Sequence, residues 1–324
     1  MFATPTVAGD LLFIGSCNGV FRALEKGTGK VRWSYDTRQD GGPVEFHGDP
    51  LLIEDLVIVG SDRRKTGEIA HLYAFERDTG KPRWKYRINL GVASDVVRIG
   101  PNIYAVTLQD EVLCLDWKTG ELVWKSATGQ ANEEFLLSST PAASRDRIFF
   151  GGLDGTVSAL DANSGAVLWR RELGGRITTS VLLADGNLYA GNSNRHLYRL
   201  DPGTGAVTAD FAAEAVPTER LLFADGSLLF FLADEKLACL DPSLKAIRWT
   251  QPAASAPWSS SRPYSWKRAV LVGNEKGELF AYRISDGSLL WSEKFEGVIR
   301  GIGHSDDALY VGTLKGRVYA HKSR

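Results

Sequence analysis

A tryptophan recurs at a fixed place in a motif that the chain repeats from end to end. An apolar segment of the form Leu-Tyr-Ala-Leu closes on a polar residue, a turn follows, and eight residues past the polar one comes the tryptophan position. The copies read FRALEKGTGKVRW (Phe21 to Trp33), LYAFERDTGKPRW (Leu72 to Trp84), VLCLDWKTGELVW (Val112 to Trp124), VSALDANSGAVLW (Val157 to Trp169), LYRLDPGTGAVTA (Leu197 to Ala209), LACLDPSLKAIRW (Leu237 to Trp249) and LFAYRISDGSLLW (Leu279 to Trp291), followed by VYAH (Val318 to His321). Six of the seven tryptophan positions are filled, by Trp33, Trp84, Trp124, Trp169, Trp249 and Trp291. A period of roughly forty residues kept over a whole chain marks stacked supersecondary units, and the period must be found before any local pattern is read.

Each unit resolves into four short strands, here called A to D. Strand A is exemplified by Thr4 to Ala8, and a polar turn such as Gly9-Asp10, Asp185-Gly186 or Asp225-Gly226 leads to an apolar strand B such as Val57-Ile58-Val59. Asn18-Gly19 and Asp154-Gly155 supply the positive φ angles of a tight hairpin before strand C. The Thr-Gly turn then sends the chain into strand D with its tryptophan. Four antiparallel strands cannot bury both faces alone, so copies stack around an axis. The expectation is an all-β chain forming a single eight-bladed β-propeller domain over residues 1–324. Each tryptophan would lie between adjacent blades, burying on the order of 200 Å² of mostly apolar surface.

Two irregularities follow from the count. The chain offers eight A-B-C sets but seven D strands, so the last blade lacks its outer strand and Val318 to Ala320 form an open edge. Residues ahead of the first blade in a longer precursor are expected to close it, and a version with that extension to melt higher. Ala209 at a tryptophan position and Lys245 at a turn-glycine position predict looser blade interfaces.

The Leu-Tyr-Ala-Leu-Asp, Thr-Gly, Trp pattern resembles the repeat of the pyrroloquinoline quinone dehydrogenase-like, or tryptophan-docking, propellers over nearly the whole chain. That family includes quinone-dependent alcohol and sugar dehydrogenases, a lipoprotein scaffold of bacterial outer-membrane assembly, and sensor propellers fused to kinases. The resemblance implies that the alcohol dehydrogenases hold their cofactor against two adjacent cysteines. Here Cys17, Cys114 and Cys239 are far apart, and the chain has little beyond its repeats. Fold does not decide function.

Composition narrows the field. A formal net charge of −1 without a basic stripe argues against nucleic acid, and no apolar run approaches the roughly 20 residues that span a bilayer. No signal peptide follows Met1-Phe2. His47, His71, His196, His304 and His321 show no metal-ligand spacing, and the glycine-rich stretches join strand to strand without a phosphate-holding helix. Neither a metal nor a cofactor is expected.

A ligand site, if built, belongs at the mouth of the central channel, where D-to-A loops supply Glu45, His47, Asp49, Asp95, Glu133, Glu134, Arg176, Glu219, Arg220, Trp258, Arg262 and Arg300. One reading is a solvated rim of ion pairs; the sharper one is an anion or peptide site on Arg176, Arg262 and Arg300 with Trp258 as a stacking wall. The long excursions Ser61 to His71, Asp36 to Asp49 and Ser126 to Ser138 project from the same face by propeller geometry and mark it for a protein partner. The functional expectation is a non-catalytic protein-binding scaffold, in the bacterial envelope. The alternatives are a ligand-sensing domain cut from a receptor or kinase, and a quinone-dependent dehydrogenase. The compartment is read as periplasmic if an export signal has been removed, and cytoplasmic otherwise.

Overall fold

In the computed structural model, residues 4–42, 44–62, 69–108, 111–127, 140–253 and 262–322 are described. Within them the chain forms seven four-stranded sheets and one three-stranded sheet, every strand hydrogen-bonded to its neighbour in sequence. The contacts group into two compact units, Met1–Ser138 with Arg300–Arg324, and Ser139–Ile299. The cuts fall between blades or at a blade's first residue, because a repeat of this kind packs on adjacent repeats and not on a shared centre.

In the first unit, blade 1 is Thr6–Ala8, Leu11–Ile14, Val20–Glu25 and Val31–Asp36. Blade 2 is Leu51–Ile53, Leu56–Gly60, Ala70–Glu76 and Pro82–Ile88, and blade 3 is Val97–Ile99, Asn102–Val106, Glu111–Asp116 and Leu122–Ala127. Blade 8 has three strands, Ile299–His304, Ala308–Thr313 and Val318–Lys322. In the second unit, blade 4 runs from Ala142–Ala143 to Val167–Glu172, blade 5 from Leu182–Ala184 to Val207–Ala212, blade 6 from Pro217–Ala224 to Ile247–Pro252, and blade 7 from Tyr264–Trp266 to Leu289–Lys294. Strand B is buried on both faces throughout, as Leu11–Ile14 and Ala269–Gly273 show, because it is flanked within its sheet and covered by neighbours above and below.

The repeat motif has a structural cause at each position. The polar residue ending strand C turns the chain: the Asp116 carboxylate accepts from the backbone N–H groups of Lys118 and Thr119, and Asp161 does the same for Asn163 and Ser164. In every C–D pair the register shifts just before that residue, for example between Ala23 and Leu24 or Cys239 and Leu240. A bulge there increases the local twist and re-aims the side chains of strand D. The tryptophan is thereby presented to the next blade. The Trp33 indole N–H donates to the Arg77 carbonyl at 2.8 Å, Trp84 to that of Trp117 at 2.9 Å, Trp169 to that of Pro202 at 3.1 Å and Trp249 to that of Ile284 at 2.9 Å.

The turn glycine opposite each indole is constrained twice. At Gly80, φ is +71°, and a Cβ would lie 2.4 Å from the Trp33 ring; at Gly120 it would lie 2.5 Å from Trp84. Any larger residue would be strained in its backbone and would also displace the indole.

The expected weakness at Ala209 and Lys245 takes a different form. Both departures fall on one interface, between blades 5 and 6, and that interface is repacked. Leu244, at φ +61°, is buried at the turn, in one cluster with Tyr189, Leu197, Leu228, Phe230 and Leu240, and Ala209 packs against it. The Tyr189 hydroxyl donates to the Pro242 carbonyl at 3.1 Å, replacing the missing indole N–H. Leucine takes the volume and tyrosine takes the hydrogen bond. No signal local to either repeat reveals this exchange.

Candidate functional site

In the first unit the loop from strand D of blade 1 to strand A of blade 2 carries Glu45, His47 and Asp49. It starts with a short 3-10 turn, Thr37–Asp40, whose Asp40 carboxylate accepts from the Tyr35 hydroxyl at 2.6 Å, the Tyr73 hydroxyl at 3.1 Å and Lys85 Nζ at 2.6 Å. Lys85 and the two tyrosines outweigh burial and hold the Asp40 carboxyl below its usual range. Because the folded-state value is depressed, the stabilisation is present above the ordinary aspartate range and is lost as pH falls through the lowered value. Asp40→Ala is therefore expected to destabilise by about 1–3 kcal/mol and to make the 36–49 loop the first site of proteolysis, read by limited digestion; an unchanged cleavage pattern would refute the anchoring role.

Beyond the anchor, Glu45 and Asp62 exchange backbone hydrogen bonds at 2.8 and 2.9 Å, tying this loop to the start of the B-to-C excursion of blade 2. Two residues on, His47 comes to lie between the two carboxylates. Its Nδ1 is 2.7 Å from Asp62 Oδ1 and its Nε2 is 3.2 Å from Glu45 Oε2. The Asp62 side chain is fully buried and the His47 ring is 12% exposed. Burial opposes the imidazolium, but the hydrogen bonds and charges of Asp62 and Glu45 prevail and lift His47 to about 9. At neutral pH it is a buried cation held between two carboxyl groups.

Cys17, from the B-to-C turn of blade 1, completes this cluster. Ligand-type atoms of Cys17, Glu45 and His47 lie within 4.8 Å of one another. Sulfur, nitrogen and oxygen donors in this number would suit a borderline cation such as zinc. The proton on His47 opposes that use, since a metal would have to displace it. Sequence spacing carried no hint of the cluster, because its members come from three separate loops. Cys114 and Cys239 are fully buried, as small core residues would be, and burial raises both thiols.

The carboxylates of Asp49 and Asp95 both bond to backbone. The Asp49 carboxylate accepts from the Thr4 N–H at 2.8 Å, and that of Asp95 accepts from the Asp49 N–H at 2.7 Å, so each carboxylate secures the entry to the preceding blade. Arg300, on the first strand of blade 8, is half-buried.

In the second unit, Arg176 is exposed and Glu219 half-buried, and their carbonyls accept from the N–H groups of Ser193 and Ser180. Glu219 has φ +65° within an irregular stretch of Pro217–Ala224. Backbone strain of this kind at a non-glycine residue clusters at binding sites. Burial pulls the Arg262 guanidinium down to about 10, with Tyr264 opposing, so it remains a strongly desolvated cation at neutral pH. Glu133, Glu134 and Trp258 lie outside the described residues, as do most of Ser126 to Ser138 and the tip of Ser61 to His71.

Comparison with known proteins gives a consistent family. The model described as outer membrane protein assembly factor BamB matches residues 1–138 and 109–324. A relative of that name from Moranella endobia is 23% identical over 98% of this chain and 84% of its own length. One from Yersinia pestis is 21% identical over 65% of this chain, which spans about half (53%) of that protein. A quinohemoprotein alcohol dehydrogenase from Pseudomonas putida is 32% identical over only 24% of this chain and 11% of its own length. The crystal structure of BamB from Moraxella catarrhalis superposes with a TM-score of 0.82 at 18% identity, covering 99% of this chain and 96% of that one, which establishes the eight-bladed β-propeller fold. The chain thus belongs to the quinone-dehydrogenase-like propeller family described by the outer membrane protein assembly factor BamB.

Proposed function

We propose that this chain is a non-catalytic, protein-binding scaffold of the bacterial envelope that takes part in outer membrane protein assembly. Family membership across nearly the whole chain carries this reading. The site chemistry agrees with it. His47 is held between two carboxylates, and Asp49 and Asp95 accept backbone hydrogen bonds, so these groups stabilise loops. Among the described residues no helix is long and apolar enough to cross a membrane.

The D-to-A loops and the B-to-C excursion of blade 2 present the partner surface, on a rigid base provided by Asp40 and the Glu45–Asp62 ladder. In the second unit Arg176 and Arg262, and in the first unit Arg300, each serve as a cationic contact for an acidic or main-chain-carboxylate segment of the partner.

Disrupting the gene should lower the amount of β-barrel protein in the outer membrane, and wild-type chain should restore it. The triple variant Arg176→Glu, Arg262→Glu and Arg300→Glu, checked for folding by circular dichroism, should fail to restore it. Unchanged barrel levels on disruption would overturn the assembly role, whereas full rescue by the triple variant would overturn only the choice of face.

A further inference from the structure

The turn that carries Cys17 and the loop that carries Glu45 and His47 meet because Gly15 has no side chain. A Cβ there would lie 2.5 Å from the Cβ of Phe46, so only glycine lets the end of strand B in blade 1 approach the Glu45–His47 segment. Gly48 makes a similar approach on the other side, where a Cβ would lie 2.2 Å from the Ser94 carbonyl oxygen. The Cys17 turn is closed by the Gly19 N–H, which donates to the Ser16 carbonyl at 3.2 Å, and by the Ser16 hydroxyl, which donates to the Val20 carbonyl at 2.6 Å. Two backbone bonds to Asp62 fix Glu45. Sulfur, nitrogen and carboxylate oxygen are thus brought within 4.8 Å of one another on backbone that is already held.

We propose that Cys17, Glu45 and His47 bind a zinc ion, with water as the fourth ligand, and that the ion staples the B-to-C turn of blade 1 to the loop entering blade 2. The two contacts of the His47 ring are unequal in a way that supports this. Nδ1 is 2.7 Å from Asp62, the length of a charge-assisted hydrogen bond, whereas Nε2 is 3.2 Å from Glu45. The longer distance matches the edge of about 3.3 Å between nitrogen and oxygen ligands on a tetrahedral zinc ion with bonds of about 2.0 Å. In the same tetrahedron the sulfur sits about 3.6 Å from each, so the half-buried Cys17 side chain has little more than about 1 Å to close. Asp62, on the opposite ring nitrogen, is the buried carboxylate that orients a metal-bound histidine and fixes its tautomer.

Zinc binding releases one proton from His47 and one from the Cys17 thiol. With His47 at about 9, the first displacement lowers the apparent affinity at pH 7 roughly a hundredfold. Structural zinc sites bind with dissociation constants of roughly 50 nM or below, so a loss of that size leaves binding in the micromolar range. The ion brings two positive charges where the proton brings one, opposite a thiol and two carboxyl groups, and so suits the site better than the proton does.

The whole chain, stripped of metal with a chelator, is titrated with zinc against a chromogenic competitor and, separately, with cobalt(II). One zinc per chain should bind, the melting temperature should rise with zinc, and the cobalt complex should show a thiolate-to-metal charge-transfer band. Cys17→Ser keeps the size of the side chain and should leave the metal-free melting temperature unchanged, yet abolish the band and weaken zinc by at least about tenfold. Asp62→Asn should weaken zinc by about 10–100-fold. Absence of stoichiometric zinc binding, a cobalt complex without the thiolate band, or zinc bound as tightly by Cys17→Ser, which would mean an adventitious ion only, would each overturn the proposal. The arginine variants and the β-barrel readout above do not involve these residues, so the two readings fail separately.

Discussion

Trp84→Ala should lower the stability of the first unit by about 3–5 kcal/mol. The side chain is 8% exposed, shares a core with Ile58, Leu72, Ile103 and Leu115, and gives its indole proton to the Trp117 carbonyl at 2.9 Å. Truncation removes that apolar contact, leaves a buried carbonyl without its donor, and opens a cavity that the rigid turn at Gly120 cannot fill. The companion variant Ala209→Trp separates the structural account from the sequence pattern. Restoring the consensus would stabilise if the seat were empty. Leu244 already occupies it, so overpacking should cost about 1–3 kcal/mol instead. Melting temperatures of both variants, measured under the same conditions, decide the matter: a gain from Ala209→Trp would contradict the repacked interface.

The second large effect belongs to His47. Its value rises from the ordinary 6.5 to about 9 on folding, so the linked stabilisation is fully present below pH 6.5 and disappears as pH rises towards 9. A shift of that size corresponds to about 3 kcal/mol. The melting temperature of the wild type should therefore fall between pH 6.5 and 9 by an amount that His47→Ala abolishes. At neutral pH the variant should also be less stable by about 3–5 kcal/mol, because Asp62 is left charged in a fully buried position without its cation. His47→Gln, which can still donate to Asp62, should recover part of the loss without restoring the pH dependence. If wild type and His47→Ala lose stability in parallel over that range, the imidazolium is not the group responsible.

Much of this was legible before any coordinates. The spacing from Asp116 to Trp124, repeated along the chain, implied four strands per unit and a tryptophan between blades, because periodicity in one dimension becomes neighbour packing in three. That blade 8 has three strands among the described residues came from the same count. The site was legible only in outline. Loop position singled out Glu45, His47, Asp49 and Asp95, but not their roles, since a carboxylate that binds a backbone N–H and one that awaits a ligand have the same local sequence. Asp62 and Cys17 could not be linked to His47, as their proximity depends on how three loops converge.

Repeat length, strand alternation, turn chemistry and the docking tryptophans were determined by sequence alone, because each arises from interactions within one repeat or with the next. The tertiary structure decided the rest: that Leu244 and Tyr189 replace an absent tryptophan, and that His47 is a buried cation. Those features depend on burial and on contacts between residues distant in the chain, and such contacts exist only once the blades have packed.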